Sequence, residues 1–298
     1  MRKSFSINSL DQIAIIGAGL LGGSIGLALR SAGFNGRRVG VGRRASSLQK
    51  AIECDAVDVV TQDIAEGVSK ARLVVLCTPV SHMESLLTQM APALAAGTYV
   101  TDVASTKVEV VQMAERILPG SVRFVGSHPM AGSEKTGVEF ARADLFQLAT
   151  CIVTPTAGTK PATVRWMRRF WETLGCNTVV TTPEKHDKLL ARVSHLPHAV
   201  AAALVGLAVR ESAIDLAGPG FADTTRIASG NAEMWTDIFR TNRAAMIESI
   251  DQLIAELTTF RQNLDSDDSE AILKWLRASQ EARDEWISRR YRKKVLPP

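Results

Sequence analysis

The stretch Ile13-Ala-Ile-Ile-Gly-Ala-Gly-Leu-Leu-Gly-Gly-Ser24, continued by Ile25-Gly-Leu-Ala-Leu-Arg30, decides the fold class of this chain. A β-branched apolar run, a glycine turn and an apolar helical pattern follow one another, which is the context a G-x-G-x-x-G motif needs to be meaningful. Gly17 allows the tight turn, Gly19 lets the backbone approach a pyrophosphate, and Gly22 or Gly23 lets the helix pack close to the strand. The free N–H groups at the helix start, at Leu20, Leu21 and Gly22, face the phosphates. The reading is a dinucleotide site on a strand, turn and helix.

An NAD site is expected to carry an acidic residue about 20 positions further on, to bind the ribose 2′-hydroxyl. None is present. The second strand, Arg38-Val-Gly-Val41, runs instead into Gly42-Arg43-Arg44. A small residue leaves room for a 2′-phosphate, and two guanidiniums can grip it in bidentate fashion, so the sequence favours NADP, with NAD as the alternative.

The chain has 298 residues, 46% hydrophobic and 22% charged, enough for one large or two modest cores. Its formal charge of +4 is mild, and the basic residues are scattered up to the tail Arg289-Arg-Tyr-Arg-Lys-Lys294. Without interleaved aromatics that tail reads as a solvated helix end, and no nucleic-acid partner is expected. No apolar run approaches membrane-spanning length, and residues 1–10 lack the apolar segment of a signal peptide, so a cytoplasmic protein without a membrane partner is expected. Cys54, Cys77, Cys151 and Cys176 lie in or beside apolar segments without C-x-x-C spacing. That argues for reduced, buried thiols and against a zinc site.

Strand-like runs alternate with helical patterns as far as about Val180. Leu73 to Pro79 reads as a buried strand, with a helix from Ser81 through Leu94; Thr98 to Asp102 is the next strand, with a helix from about Thr106. Phe124 to Gly126 and Cys151 to Thr154 are later strands, and Pro161 to Leu174 is a helix. The pattern is α/β, a Rossmann-type doubly wound sheet, and its ligands belong beyond the carboxyl ends of the strands. Thr78, Pro79, residues 102–105 and residues 127–133 should therefore line one crevice. From Pro183 onward the pattern is helical alone, with Leu196 to Val209 apolar almost all round and further helices from Glu233 to Phe260 and Ser269 to about Arg292. An uncapped acidic loop, 265–268, separates the last two. The expected organisation is a dinucleotide-binding domain at 1–182 and an all-helical substrate and dimerisation domain at 183–298, giving a homodimer.

Four clusters beyond the glycine loop carry possible chemistry: Asp102-Val-Ala-Ser-Thr-Lys107, Gly126-Ser-His-Pro-Met-Ala-Gly-Ser-Glu134, Ser194-His-Leu-Pro-His198, and Asp223-Thr-Thr-Arg-Ile227 with Trp235. In order and spacing they resemble the prephenate and arogenate dehydrogenases of tyrosine biosynthesis, from the glycine loop to about Trp235. The resemblance implies hydride transfer from C4 of a cyclohexadienol to a nicotinamide while the ring carboxylate leaves as carbon dioxide. Such a reaction asks for a base at the C4 hydroxyl, a cation fixing the carboxylated substrate and a dry pocket against the cofactor.

By that resemblance His128, at a strand end facing the crevice, is the group bonded to the C4 hydroxyl, and Ser105 shares its hydrogen bond. By itself Ser105 reads as the N-cap of the following helix. Arg226 corresponds to the arginine that grips a substrate carboxylate, a role suited to a planar fork of donors. Trp235 lies near the substrate pocket, or is a core aromatic. His195 and His198, three apart on one helix face with Pro197 between them to kink it, read as pocket polar groups, since no third ligand at a fitting offset supports a metal. Glu134 resembles an acid at the pocket mouth. His186-Asp187 also matches the family, with a surface position an adequate account of it.

Two departures bear on substrate. Thr136 is neutral where plant arogenate enzymes carry an acid, which favours prephenate; Ala222 stands where some relatives have lysine, which removes a positive charge from a pocket for a dianion. Prephenate is the expected substrate, with arogenate, or both, as the alternative. More distant alternatives are a β-hydroxyacid dehydrogenase, for which Lys185 and Lys188 are the candidate bases, and a non-catalytic NADP sensor.

Overall fold

The computed structural model describes residues 6–132, 135–210 and 212–295. The chain divides into two compact units, Met1–Met246 and Ile247–Pro298. In the first, strand β1 (Gln12–Ile16) is buried along its whole length and leads through the glycine turn into helix α1 (Leu20–Ser31). β2 (Arg37–Val41), α2 (Ala45–Glu53), β3 (Val59–Thr61), α3 (Ile64–Ser69), β4 (Leu73–Leu76), α4 (Met83–Met90), β5 (Tyr99–Asp102), α5 (Val108–Ile117) and β6 (Arg123–Phe124) follow. The six strands form one sheet in the order β3-β2-β1-β4-β5-β6, all pairs parallel.

Runs such as Ile13 to Ile16 and Leu73 to Leu76 are apolar on both faces because helices cover both sides. One face packs Ile13, Ile15, Leu73 and Val75 with Ile25 and Leu29 of α1. The other packs Ala14, Ile16, Val74 and Leu76 with Met83 and Leu87 of α4 and Val110 of α5. The later strands form a separate sheet: β7 (Gly126–Pro129) runs antiparallel to β8 (Thr150–Thr154), which is parallel to β9 (Asn177–Val180) across α6 (Pro161–Thr173).

Helices alone follow: α7 (Pro183–Leu190), a π turn over Ala191–His195, α8 (Leu196–Arg210), α9 (Pro219–Thr225), a 3-10 turn over Arg226–Ser229, and α10 (Ala232–Thr241). Pro183 opens α7, and the Thr182 side chain accepts the Lys185 amide as its cap. Helix α11 (Arg243–Asp265) leads into the second unit, where α12 (Ser269–Val295) follows.

Several expected boundaries move. Ser81 does not begin a long helix: Val80–His82 is a 3-10 turn, α4 ends at Met90 and Ala91–Ala93 is again 3-10. Pro197 does not break its helix, because the π turn before it absorbs the missing donor. As a result Pro183–Arg210 is one continuous helical stretch of 28 residues, long and apolar enough to cross a membrane, which the residue pattern with its proline concealed. It is not buried all round: only His198 and Ala201 are buried in α8, while Leu207 and Val209 are more than half exposed. The loop at 265–268 is capped after all, since Asp268 Oδ1 accepts the Ala271 amide at 2.9 Å.

Candidate active site

The carboxyl ends of β1, β2 and β4 open into one cleft of about 680 Å3. Its wall includes Gly17, Gly19, Arg43, Arg44, Thr78 and Pro79, while Leu20, Leu21 and Gly22 form the first turn of α1 and do not line it. Gly17 has φ +95°, a conformation that favours glycine, and a Cβ there would stand 2.7 Å from the Cys77 carbonyl. At Gly19 a Cβ would meet nothing within 4 Å, so this backbone is open to a ligand. Thr78 Oγ1 is buried in the same wall without a partner among the described residues. An open glycine backbone at a helix start and an orphaned hydroxyl suit a dinucleotide, whose phosphates need donors at close range.

At the outer end of the cleft Arg43 and Arg44 are exposed, and Arg43 Nη2 lies 3.5 Å from His82 Nε2. His82 went unnoticed in the sequence, because it comes from the loop after β4 and only the sheet order brings it to β2.

The second half of the site is a hydrogen-bonded chain of buried side chains. Asp102, the last residue of β5, accepts the amides of Ala104 (2.9 Å) and Ser127 (3.1 Å) and pairs with Lys107. Asp187 on α7 accepts the amides of Lys107 (2.8 Å, Oδ1) and Val108 (2.9 Å, Oδ2), capping α5 from outside. Ser105 therefore is not the cap; it lies half-buried in the loop between these two carboxylates.

Asp187 Oδ1 also lies 2.7 Å from His186 Nδ1, and His186 Nε2 lies 2.9 Å from His128 Nδ1. Asp187 can only accept, so His186 donates from Nδ1, receives at Nε2, and leaves Nε2 of His128 as a bare acceptor. Burial holds the pKa of both imidazoles below the ordinary value; the charges of His186, Lys107 and His195 add to this at His128, while Asp187 partly opposes it at His186. The expectation of a surface position for His186 and Asp187 is corrected: they are 0% and 4% exposed. An acid in a helix's first turns is so ordinary that, apart from the family resemblance of His186-Asp187, the sequence held no signal for this role.

Asn242, in the break between α10 and α11, donates to the Asp187 carbonyl at 2.8 Å and lies 3.0 Å from His195 Nδ1. Asn242 also escaped the sequence reading. With Nδ1 accepting, His195 keeps its hydrogen on Nε2, which is buried without a partner among the described residues. Burial lowers its pKa to about 4. His198 stacks on Trp235 with ring centroids 3.6 Å apart, and its Nδ1 is likewise unpartnered. Gly230 makes room for this stack: a Cβ there would stand 2.5 Å from Trp235 Nε1 and 3.0 Å from His198 Cε1.

Arg226 is exposed in a turn that packs on α8, and its guanidinium pairs with no described residue. Glu134 lies outside the described residues. No group of three potential metal ligands occurs among the described residues.

Thr78 and Pro79 line the cleft as expected, but residues 102–105 and 127–132 do not; they belong to the buried network instead. A cleft suited to a dinucleotide at the carboxyl edge of a parallel sheet, together with buried imidazoles bridging the next strand and the helical region, is the arrangement of a nicotinamide-dependent dehydrogenase. The comparisons agree. The model of the prephenate dehydrogenase nucleotide-binding domain matches residues 25–180, and that of the prephenate dehydrogenase dimerization domain matches 182–278. The chain belongs to the prephenate dehydrogenase family.

Among its relatives, prephenate dehydrogenase of Bacillus subtilis is 33% identical over 92% of this chain and 76% of its own length. Cyclohexadienyl dehydrogenase of Zymomonas mobilis is 34% identical over 91% of this chain and 94% of its own. The crystal structure of prephenate dehydrogenase from A. aeolicus in complex with hydroxyphenyl propionate and NAD+ superposes with a TM-score of 0.89 at 33% identity. It covers 95% of this chain and 99% of its own.

Proposed function

We propose that this protein oxidatively decarboxylates prephenate to 4-hydroxyphenylpyruvate in tyrosine biosynthesis, with NADP as its preferred cofactor. The observation that carries the reading is the chain Asp187–His186–His128, which leaves an uncharged imidazole nitrogen ready to accept a hydrogen. A bound nicotinamide supplies the hydride acceptor. His128 Nε2 accepts the C4 hydroxyl hydrogen of the substrate as positive charge builds on C4, with Ser105 sharing that bond. Arg226 holds a carboxylate through its fork of donors, and the unpartnered Nε2–H of His195 and the His198–Trp235 stack line the ring and its substituents. Departure of the ring carboxylate as carbon dioxide returns the C1–carboxyl electron pair to the ring, and aromatisation drives the step.

The NADP preference rests on Arg43 and Arg44 at the end of β2, with no acidic residue there to bind a ribose 2′-hydroxyl. Leu20, Leu21 and Gly22 offer amides to the phosphates, with Gly17, Gly19, Thr78 and Pro79 shaping the cleft. We place the dinucleotide-binding part at 1–182 and the substrate and dimerisation part at 183–298, in a cytoplasmic homodimer. Exposed apolar residues in the helical part, among them Leu207, Ile254, Leu257 and Leu276, are suited to burial against a second copy. Arogenate is the second reading, favoured by Ala222 and by the likeness to a cyclohexadienyl dehydrogenase.

The deciding experiment measures initial rates of reduced-cofactor formation for prephenate and arogenate, each with NADP and NAD. Highest kcat/KM with prephenate and NADP is expected. Turnover of neither substrate, with cofactor binding intact, would remove the assignment.

A further inference from the structure

Lys107 and Asp102 form an ion pair with both side chains at 0% exposure, and no step described above uses it. Two charges withdrawn this far from water are costly unless further hydrogen bonds hold them. Here the bonds lead to the two groups that meet the substrate. The Asp102 carboxylate accepts the amide of Ala104, next to Ser105, and the amide of Ser127, next to His128. Lys107 closes the same loop from the other side, since its own amide donates to Asp187 and its side chain runs under Gly126, where a Cβ would stand 3.3 Å from Lys107 Cδ.

We propose that Asp102 and Lys107 are positioning residues of the reaction: the pair locks the Ser105 loop to the His128 strand and fixes a cation behind the His128–His186 imidazoles. The proposal rests on the reading of His128 as hydrogen acceptor. Among the described residues the titratable groups around His128 are His186 and Asp187 from α7, His195 from the π turn, Lys107 and Asp102 from β5 and its loop, and Cys151 on the neighbouring strand β8. Among them Lys107 is the built-in cation, held in place by Asp102, and its field disfavours a second positive charge on His128. An acceptor must be unprotonated to work, so removing that field narrows the pH range of activity from the acid side.

The test uses the full chain with bound cofactor. Lys107→Met is assayed for kcat and KM across pH, and the His128 titration is followed by NMR of labelled histidine, its resonance assigned by its disappearance in His128→Asn. Expected is a loss in kcat of about tenfold or more with substrate KM changed by less than about threefold. Both the acid limb of kcat/KM and the His128 titration move to higher pH. Because Lys107→Met leaves a buried carboxylate without its partner, Lys107→Met/Asp102→Asn is measured beside it; this variant removes both charges at similar volume and still moves upward, by less, since the Asp102 anion that favours protonation is gone as well. A His128 titration that stays in place in either folded variant overturns the proposal. Turnover retained in His128→Asn overturns the reading of His128 instead, while the NMR titration still decides whether the lysine governs that imidazole.

Discussion

Gly19 and Gly22 stand in the same turn of chain, yet a methyl group added to each meets different surroundings. At Gly22 it would lie 2.2 Å from the Gly17 carbonyl oxygen, a backbone atom that cannot yield without moving β1. At Gly19 it would meet nothing within 4 Å. Gly22→Ala should therefore lower stability by about 1–3 kcal/mol, the usual range for overpacking. Gly19→Ala should leave the melting temperature nearly unchanged but raise the cofactor KM by about tenfold or more, by standing where the pyrophosphate approaches. Thermal denaturation and cofactor titration of the two variants separate these effects; an unchanged cofactor KM in Gly19→Ala would show that the phosphates do not come near this backbone.

At the scale of elements, α10 joins the cofactor loops to the aromatic part of the site. Ser81, in the turn after β4, donates its hydroxyl (2.6 Å) and amide (3.2 Å) to Asp237. Thr241 at the end of α10 shares a 2.8 Å hydroxyl contact with Thr106, the neighbour of Ser105. Trp235 rides on the same helix, so its position over His198 depends on how α10 is held. The Ser81–Asp237 bonds are exposed and worth only about 0.5–1.5 kcal/mol in stability. Asp237→Asn should thus fold normally and bind cofactor with little change, while substrate KM rises severalfold. Isothermal titration with cofactor, paired with steady-state kinetics, checks this, and an unchanged substrate KM would rule out α10 as the link.

For the whole molecule, pH dependence follows from the buried imidazoles. His128, His186 and His195 all have folded-state pKa values lowered mainly by burial, His195 to about 4. An unfolded histidine titrates near about 6.5, so below that pH the unfolded chain binds protons that the folded chain refuses. Their contribution to stability is complete above about pH 6.5 and is lost as pH falls toward the folded values. Urea midpoints should decline already between about pH 6.5 and 5, before most carboxylates protonate, and His195→Gln should flatten that decline. A level profile through this window would contradict the placement of these rings as neutral and buried.

The sheet, its glycine loop and the switch to helices after Pro183 were legible from local pattern alone, because the period of apolar residues and the glycines and prolines that punctuate it are written in neighbouring positions of the chain. The residues proposed for the site come from the sequence too: His128, Ser105, His195, His198 and Arg226 stand in short clusters whose order can be read without a structure. The supporting network was not. Asp187 capping α5, Asn242 orienting His195, and Asp102 holding the Ser127 amide span sequence separations of 80, 47 and 25 residues. A carboxylate or amide chooses such partners only after packing has removed water and brought distant segments within 3 Å, and no local periodicity encodes that choice. The chain's own order of residues determined which groups are available for the chemistry; the tertiary structure decided their tautomers, their burial and hence their charge, because those depend on partners that only the folded chain supplies.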